Sequence, residues 1–251
     1  MLDWYLLIRR GAMVIHTVFD VLAWLSGAAI GIFVARCGWL STLRQARSPF
    51  SDPIYFIALT VGAISGAILC GSVNLDLAGR FVLGHSIAGA IAGGIVAVEA
   101  YKSLAGVKGS TGGQFVAPLA LGIAVGRWGC FFAGLPDYTY GTPTSLPWGI
   151  DFGDGIPRHP VQLYESLSML AFLAVYLREI ARQNSFVLRQ GFYLFVGAYA
   201  GQRFIWEFMK PYPRIAGPFN VFHIVCLVLL AYSLLMMSRN HEPARQTVSE
   251  L

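Results

Sequence analysis

The sequence predicts an all-α, polytopic membrane protein with about seven transmembrane helices in a single domain. Three observations carry this. Of the 251 residues, 56% are hydrophobic and only 12% charged, about half the charge of an ordinary globular domain. Mean hydropathy is +0.60. Long apolar runs recur along the chain, each near the length that crosses a hydrocarbon core about 30 Å thick.

The first run spans about 11–35. It is too long for the apolar core of a signal peptide, and no small-x-small cleavage site ends it. His16 and Asp20 lie inside it. Further runs follow at about 54–71, 81–100, 115–132, 160–177, 191–209 and 219–237. A polar, proline-bearing connection over 135–159 separates the fourth from the fifth, and a polar tail covers 238–251. Pairs of glycines four apart occur within the runs: Gly27/Gly31, Gly62/Gly66, Gly89/Gly93, Gly122/Gly126 and Gly197/Gly201. This spacing lets helix backbones approach closely inside a bilayer, where no hydrophobic effect drives helix association. No glycine-rich phosphate loop is present.

The net charge is +5. In a soluble protein that excess would suggest nucleic acid. Here the basic residues cluster in short loops, so the positive-inside bias explains it. Lysines and arginines favour the loops after the first, third and fifth runs and the tail. That bias predicts a cytoplasmic C-terminus, a periplasmic N-terminus and a periplasmic 135–159 connection. Cys37, Cys70, Cys130 and Cys226 form no CxxC and read as small buried hydrophobes. No His pair, Cys/His spacing or carboxylate cluster in the sequence implies a metal, and nothing implies a cofactor.

The informative residues are the polar ones within apolar runs, because each is costly in hydrocarbon. Arg127 ends the fourth run, and its guanidinium cannot lose its proton. Tyr199, Arg203 and Glu207 recur every four residues, so they share one face of the sixth helix. Arg203 and Glu207 form either a self-neutralising pair or, with Arg127 nearby, part of a site with surplus positive charge for an anion. His85, between Gly84 and Ser86 in the third run, is either a structural histidine or a general base.

Four motifs occur in order. They are Gly-Arg-x-Gly-Cys-Phe-x-Ala-Gly from Gly126, a Tyr-Gly-x-Pro-Thr around Gly141, Leu-Pro-Trp-Gly from Leu146, and Arg-His-Pro-x-Gln-Leu-Tyr-Glu from Arg158 to Glu165. Together they resemble the prolipoprotein diacylglyceryl transferase family, best over Gly84 to Pro211 and least over the first eighty residues. The resemblance implies a multi-pass enzyme of the bacterial inner membrane. Such an enzyme transfers diacylglyceryl from phosphatidylglycerol to the lipobox cysteine of prolipoproteins, forms a thioether and releases glycerol phosphate. Its partners would be membrane lipid and prolipoprotein signal peptides. His85 matches the family's third-helix histidine and is expected to deprotonate the thiol. Arg127 and Arg203 are expected to bind and stabilise the leaving phosphate, with Tyr199 and Glu207 orienting Arg203. Cys130, Gly141, Arg158 and His159 complete the expected substrate site, the last two with Glu165 shaping the outer loop. Two other readings are a paralogue acting on another lipid or acceptor, and a non-enzymatic lipid-binding or translocating protein.

Overall fold

A computed structural model describes residues 2–41 and 52–239, with side chains from Gly11 onward in the first helix. Arg44, Arg47 and the tail beyond Arg239 lie outside the described residues. Among the described residues seven α-helices carry the fold: α1 (Leu2–Arg36), α2 (Pro53–Leu77), α3 (Ile87–Ala105), α4 (Val116–Ala133), α5 (Val161–Ala181), α6 (Ser185–Glu207) and α7 (Val221–Arg239). The protein is all-α and polytopic. Among the described residues, α1, α2, α3, α4 and α7 contain segments long and apolar enough to cross a membrane. Helices α5 and α6, at 21 and 23 residues, are also long enough, about 1.5 Å per residue. They are less apolar because they carry charged and polar residues, among them Glu165, Arg178, Arg189 and Arg203. Large apolar side chains face outward, among them Trp24, Phe81 and Leu104 at 80%, 85% and 90% exposure. A water-soluble surface does not present such a set.

Several helices start where a polar side chain can take up their first free N–H groups. Asp52 accepts from Ile54 N ahead of Pro53. Asn184 accepts from Phe186 N and Val187 N. Asn220 Oδ1 accepts from His223 N at 3.1 Å. The third helix begins at Ile87, six residues later than the apolar run suggests. Ser86 caps it by accepting from Gly89 N, and its own N–H donates to Ala67 O on α2. Residues 81–86 are therefore non-helical, and His85 precedes the helix instead of riding on it.

The packing order departs from chain order. Helix α1 packs on α4, α4 on α5, α5 on α6, and α6 on α7, while α2 and α3 form a tight pair that meets α7. The α2–α3 crossing runs through two of the glycine pairs. A Cβ on Gly66 would lie 2.2 Å from Gly89 O, and one on Gly93 would lie 2.1 Å from Gly62 O. No side chain fits there. Gly66→Leu is expected to force the helices apart and lower stability by at least the roughly 1–3 kcal/mol of an overpacked core. Thermal unfolding in detergent measures it, and an unchanged midpoint would show that the close crossing is dispensable.

The 135–159 connection is structured. A 3₁₀ turn at Leu135–Asp137 follows α4. Two short antiparallel strands, β1 (Ile150–Asp151) and β2 (Pro157–Arg158), close a small hairpin.

Candidate functional site

Where α4, α5 and α6 converge, five charged side chains meet in the buried interior. Glu165, near the start of α5, is wholly buried. Arg127 Nε lies 2.9 Å from its Oε2. Arg203 Nη1 and Lys210 Nζ donate to its Oε1 at 2.9 and 2.8 Å. Arg203 turns its Nε to Glu207 Oε1 at 2.6 Å. Lys210 is 3.6 Å from the same oxygen. Asn220 Nδ2 donates to Glu207 Oε2 at 3.0 Å. Three cations thus face two carboxylates, leaving one positive charge in excess. The Nε contacts of both arginines are ion-pair close but not aligned as hydrogen bonds. Burial, and then the neighbouring Arg203, hold the Lys210 ammonium below its ordinary pKa. That is what excess positive charge in a dry site should do.

The two arginines come together as expected, with a different centre. Glu165 does not shape the outer loop: it is the carboxylate that both arginines share. The motif that contains it straddles two environments, because Arg158 and His159 precede α5 while Glu165 has turned into the bundle. Lys210 and Asn220 are members of the cluster that sequence reasoning missed. Lys210 looks like a loop residue, yet it is buried because the chain after α6 folds back over the site. The one legible signal for Asn220 is its position as a helix cap before an apolar run.

Tyr199 sits one turn from Arg203 and is fully buried, but no hydrogen bond joins its hydroxyl to Arg203 among the described residues. Phe222 lies under the Arg203 guanidinium at 5.2 Å. Cys130 Sγ is 3.8 Å from Arg127 Nη1. Gly141 makes a steric closure: its N–H donates to His159 O at 3.1 Å, and a Cβ there would lie 2.4 Å from the same oxygen. Arg158 takes its partners from the outer connection. It grips Asp154 through both terminal nitrogens at 2.6 and 2.7 Å, and so holds the Asp154 carboxyl below the usual carboxylate range. His159 Nδ1 is 3.2 Å from Tyr164 Oη. Arg158 thus makes its contacts within the connection, and His159 ties the end of that connection to the first turn of α5.

His85 is exposed, and among the described residues no ion pair or hydrogen bond joins it to the charged cluster. It reaches the same end of the bundle through its segment. Gly84 N donates to Ser72 Oγ at 3.2 Å, which fixes the turn. Arg80, five residues earlier, stacks over the Tyr138 ring at 4.0 Å. Tyr138 Oη in turn donates to Pro211 O at 2.8 Å, next to Lys210. An apolar cavity of about 190 Å³ lined by Ile91, Ile95 and Phe192 also exists, but no residue of the charged cluster lines it.

Comparison with known proteins gives consistent matches. Residues 5–239 match the model of the family described as prolipoprotein diacylglyceryl transferase. The match reaches through the first eighty residues, where the motifs by eye are weakest. The phosphatidylglycerol–prolipoprotein diacylglyceryl transferase of Nitratidesulfovibrio vulgaris is 31% identical over 233 residues, covering 82% of this chain and 86% of that protein. The enzyme numbered 1 under the same name in Streptomyces coelicolor is 34% identical over 248 residues, covering 88% and 70%. The one from Finegoldia magna is 48% identical over 65 residues, a quarter of each chain. No solved structure matches.

Proposed function

We propose, from the premise that this chain belongs to the prolipoprotein diacylglyceryl transferase family, a division of labour among its buried cations and its exposed histidine. The chain transfers diacylglyceryl from phosphatidylglycerol to a prolipoprotein cysteine, forming a thioether and releasing glycerol phosphate. In this reaction the sulfur bonds to the glyceryl carbon as that carbon's bond to the phosphate oxygen breaks. The electron pair leaves with the phosphate. The reading rests above all on the surplus cation in the Arg127–Glu165–Arg203–Lys210–Glu207 cluster. An anionic phosphate supplies the missing counter-charge, and arginine forks suit its oxygens. A fixed cationic site stabilises charge most where it grows, on the departing phosphate.

Glu165 and Glu207 set the two guanidinium planes, and Asn220 holds Glu207. Tyr199 fills the space behind Arg203. Cys130 borders Arg127 on the lipid-binding side, while Gly141, Arg158 and His159 keep the outer loop closed above it. The acceptor thiol must lose its proton to attack. His85 is exposed, on a pinned turn at the same end of the bundle, and takes that role. His85→Gln is expected to abolish transfer with the protein still inserted and folded. Diacylglyceryl incorporation into a prolipoprotein in vesicles tests it, and activity near wild type would move the base elsewhere.

The chain is a multi-pass membrane protein. Our reading has all seven helices crossing the bacterial inner membrane as one domain. The N-terminus is then periplasmic and the C-terminus cytoplasmic, with the charged cluster opening to the periplasm where prolipoproteins emerge. The excess of basic residues after odd-numbered helices supports this. A C-terminal alkaline phosphatase fusion is then inactive and a fluorescent-protein fusion bright. The opposite pattern sinks the orientation.

A further inference from the structure

Beside the Arg127 end of the cluster, three side chains from three elements meet. They are His16 of α1, Cys130 of α4 and Asp137 of the 3₁₀ turn. His16 Nε2, Cys130 Sγ and an Asp137 carboxylate oxygen all lie within 4.8 Å of one another. His16 Nε2 and Asp137 Oδ1 are 2.5 Å apart. No spacing in the sequence groups them, since more than a hundred residues separate His16 from Asp137. We propose that these residues bind one Zn²⁺ ion with three protein ligands and one exchangeable position. The proposal goes beyond the phosphate site and rests on the family reading only for the identity of the thiol that would enter.

The donor set favours it. Sulfur, imidazole nitrogen and carboxylate oxygen together suit a borderline divalent ion, and three such ligands with one open position are the composition of catalytic zinc sites. Metal–ligand bonds of about 2.0–2.3 Å put ligand atoms roughly 3.3–3.7 Å apart in a tetrahedral site. The His16–Asp137 contact must open by about an ångström, and the sulfur must close by at most about as much. Side-chain rotation covers that, and Asp137 sits on a short turn, not inside a helix.

The surroundings are also those of a built ligand set. Thr139 Oγ1 donates to Asp137 Oδ2, and Gln162 Nε2 donates to Thr139 Oγ1 at 3.3 Å. This is the outer support that fixes a carboxylate ligand. Gly129 makes room: a Cβ there would lie 2.7 Å from the Phe19 Cβ and 3.7 Å from His16 Nδ1. Arg127 places a fixed positive charge beside the sulfur that a metal binds as thiolate. Zn²⁺ with one thiolate and one carboxylate is electrically neutral, so it adds nothing to the positive excess next door. A thiol entering the open position would lose its proton to solvent on coordination.

Cobalt(II) is the probe, because it replaces zinc and reports thiolate ligation by a charge-transfer absorption. The full chain in detergent, stripped with chelator, is expected to bind one equivalent of Co²⁺ with that absorption. Cys130→Ser is expected to remove the absorption, and Cys37→Ser to leave it. His16→Gln and Asp137→Asn are expected to weaken Co²⁺ by more than about 100-fold, and Thr139→Val by about 10–100-fold, the usual effect of losing a partner that orients a ligand. A cysteine peptide added to the Co²⁺ form is expected to intensify the absorption. None of these readouts needs turnover, so they stand apart from the His85 assignment. Should Cys130→Ser not fold, the wild-type chain decides: Zn²⁺ reloading must raise its unfolding temperature. Less than one equivalent bound, absorption retained in Cys130→Ser, or no rise on reloading would overturn the site and leave a plain His16–Asp137 ion pair.

Discussion

Glu165→Gln is expected to be among the most damaging single changes in the chain. The side chain keeps its size and loses its charge. Arg203 and Lys210 would then keep only Glu207, and Arg127 would lose the carboxylate it pairs with. Removing one partner of a buried ion pair typically costs about 3–5 kcal/mol, because the other charge stays buried and uncompensated. Here three cations lose the same partner. Thermal unfolding in detergent is expected to fall accordingly, and transfer to be lost. Glycerol phosphate in the buffer should restore more stability to this variant than to the wild type, since an added anion replaces the missing carboxylate. A Glu165→Gln protein as stable and active as wild type would remove Glu165 from the centre of the site.

The second large effect is at Arg203. Its guanidinium bridges Glu165 and Glu207 at once, at 2.9 and 2.6 Å. Lysine keeps the charge, but a single ammonium on a flexible stem cannot span both carboxylates and also present a planar fork to a phosphate. Arg203→Lys is therefore expected to lose transfer nearly as fully as Arg203→Ala, on the order of 100-fold or more, the scale of losing one donor from a preorganised anion site. The double change Arg203→Leu with Glu207→Leu is informative for another reason. It removes one charge of each sign and leaves Arg127 and Lys210 on Glu165, so the local excess is unchanged. The double variant is expected to stay folded, since replacing a buried ion pair by apolar residues of similar size is often neutral, and still to be inactive. If it transfers diacylglyceryl like wild type, Arg203 does not serve the phosphate.

Much of the site is legible in the sequence because charges in apolar runs are few and costly. Arg127, Arg203 and Glu207 stand out for that reason alone, and the four-residue spacing puts the last two on one face of α6. Glu165 is hidden because its motif begins in a loop. The helix starts at Val161, and by Glu165 the side chain has rotated into the bundle. Lys210 is hidden because it follows the last turn of α6, a position that is exposed unless the chain returns over it. His85 reads as a helical residue because residues 81–86 are nearly as apolar as a helix interior. What stops the helix there is tertiary: Gly84 lies against Gly71, where any side chain would meet backbone at 2.6 Å, and Ser86 is tied to both α2 and α3.

The sequence by itself determined the membrane class, the all-α character and the family, because each is written in local quantities: hydropathy over about twenty residues, glycine spacing and contiguous motifs. It also determined that arginine would need an anion, since guanidinium charge cannot be titrated away. Only the tertiary structure decided which carboxylate answers those arginines. Only the fold decided that α1 packs on α4, and so that His16 meets Cys130 and Asp137. These facts depend on contacts between residues far apart in the chain, and in a bilayer such contacts are set by backbone fit and charge pairing, not by hydrophobic burial, which is equal on every face.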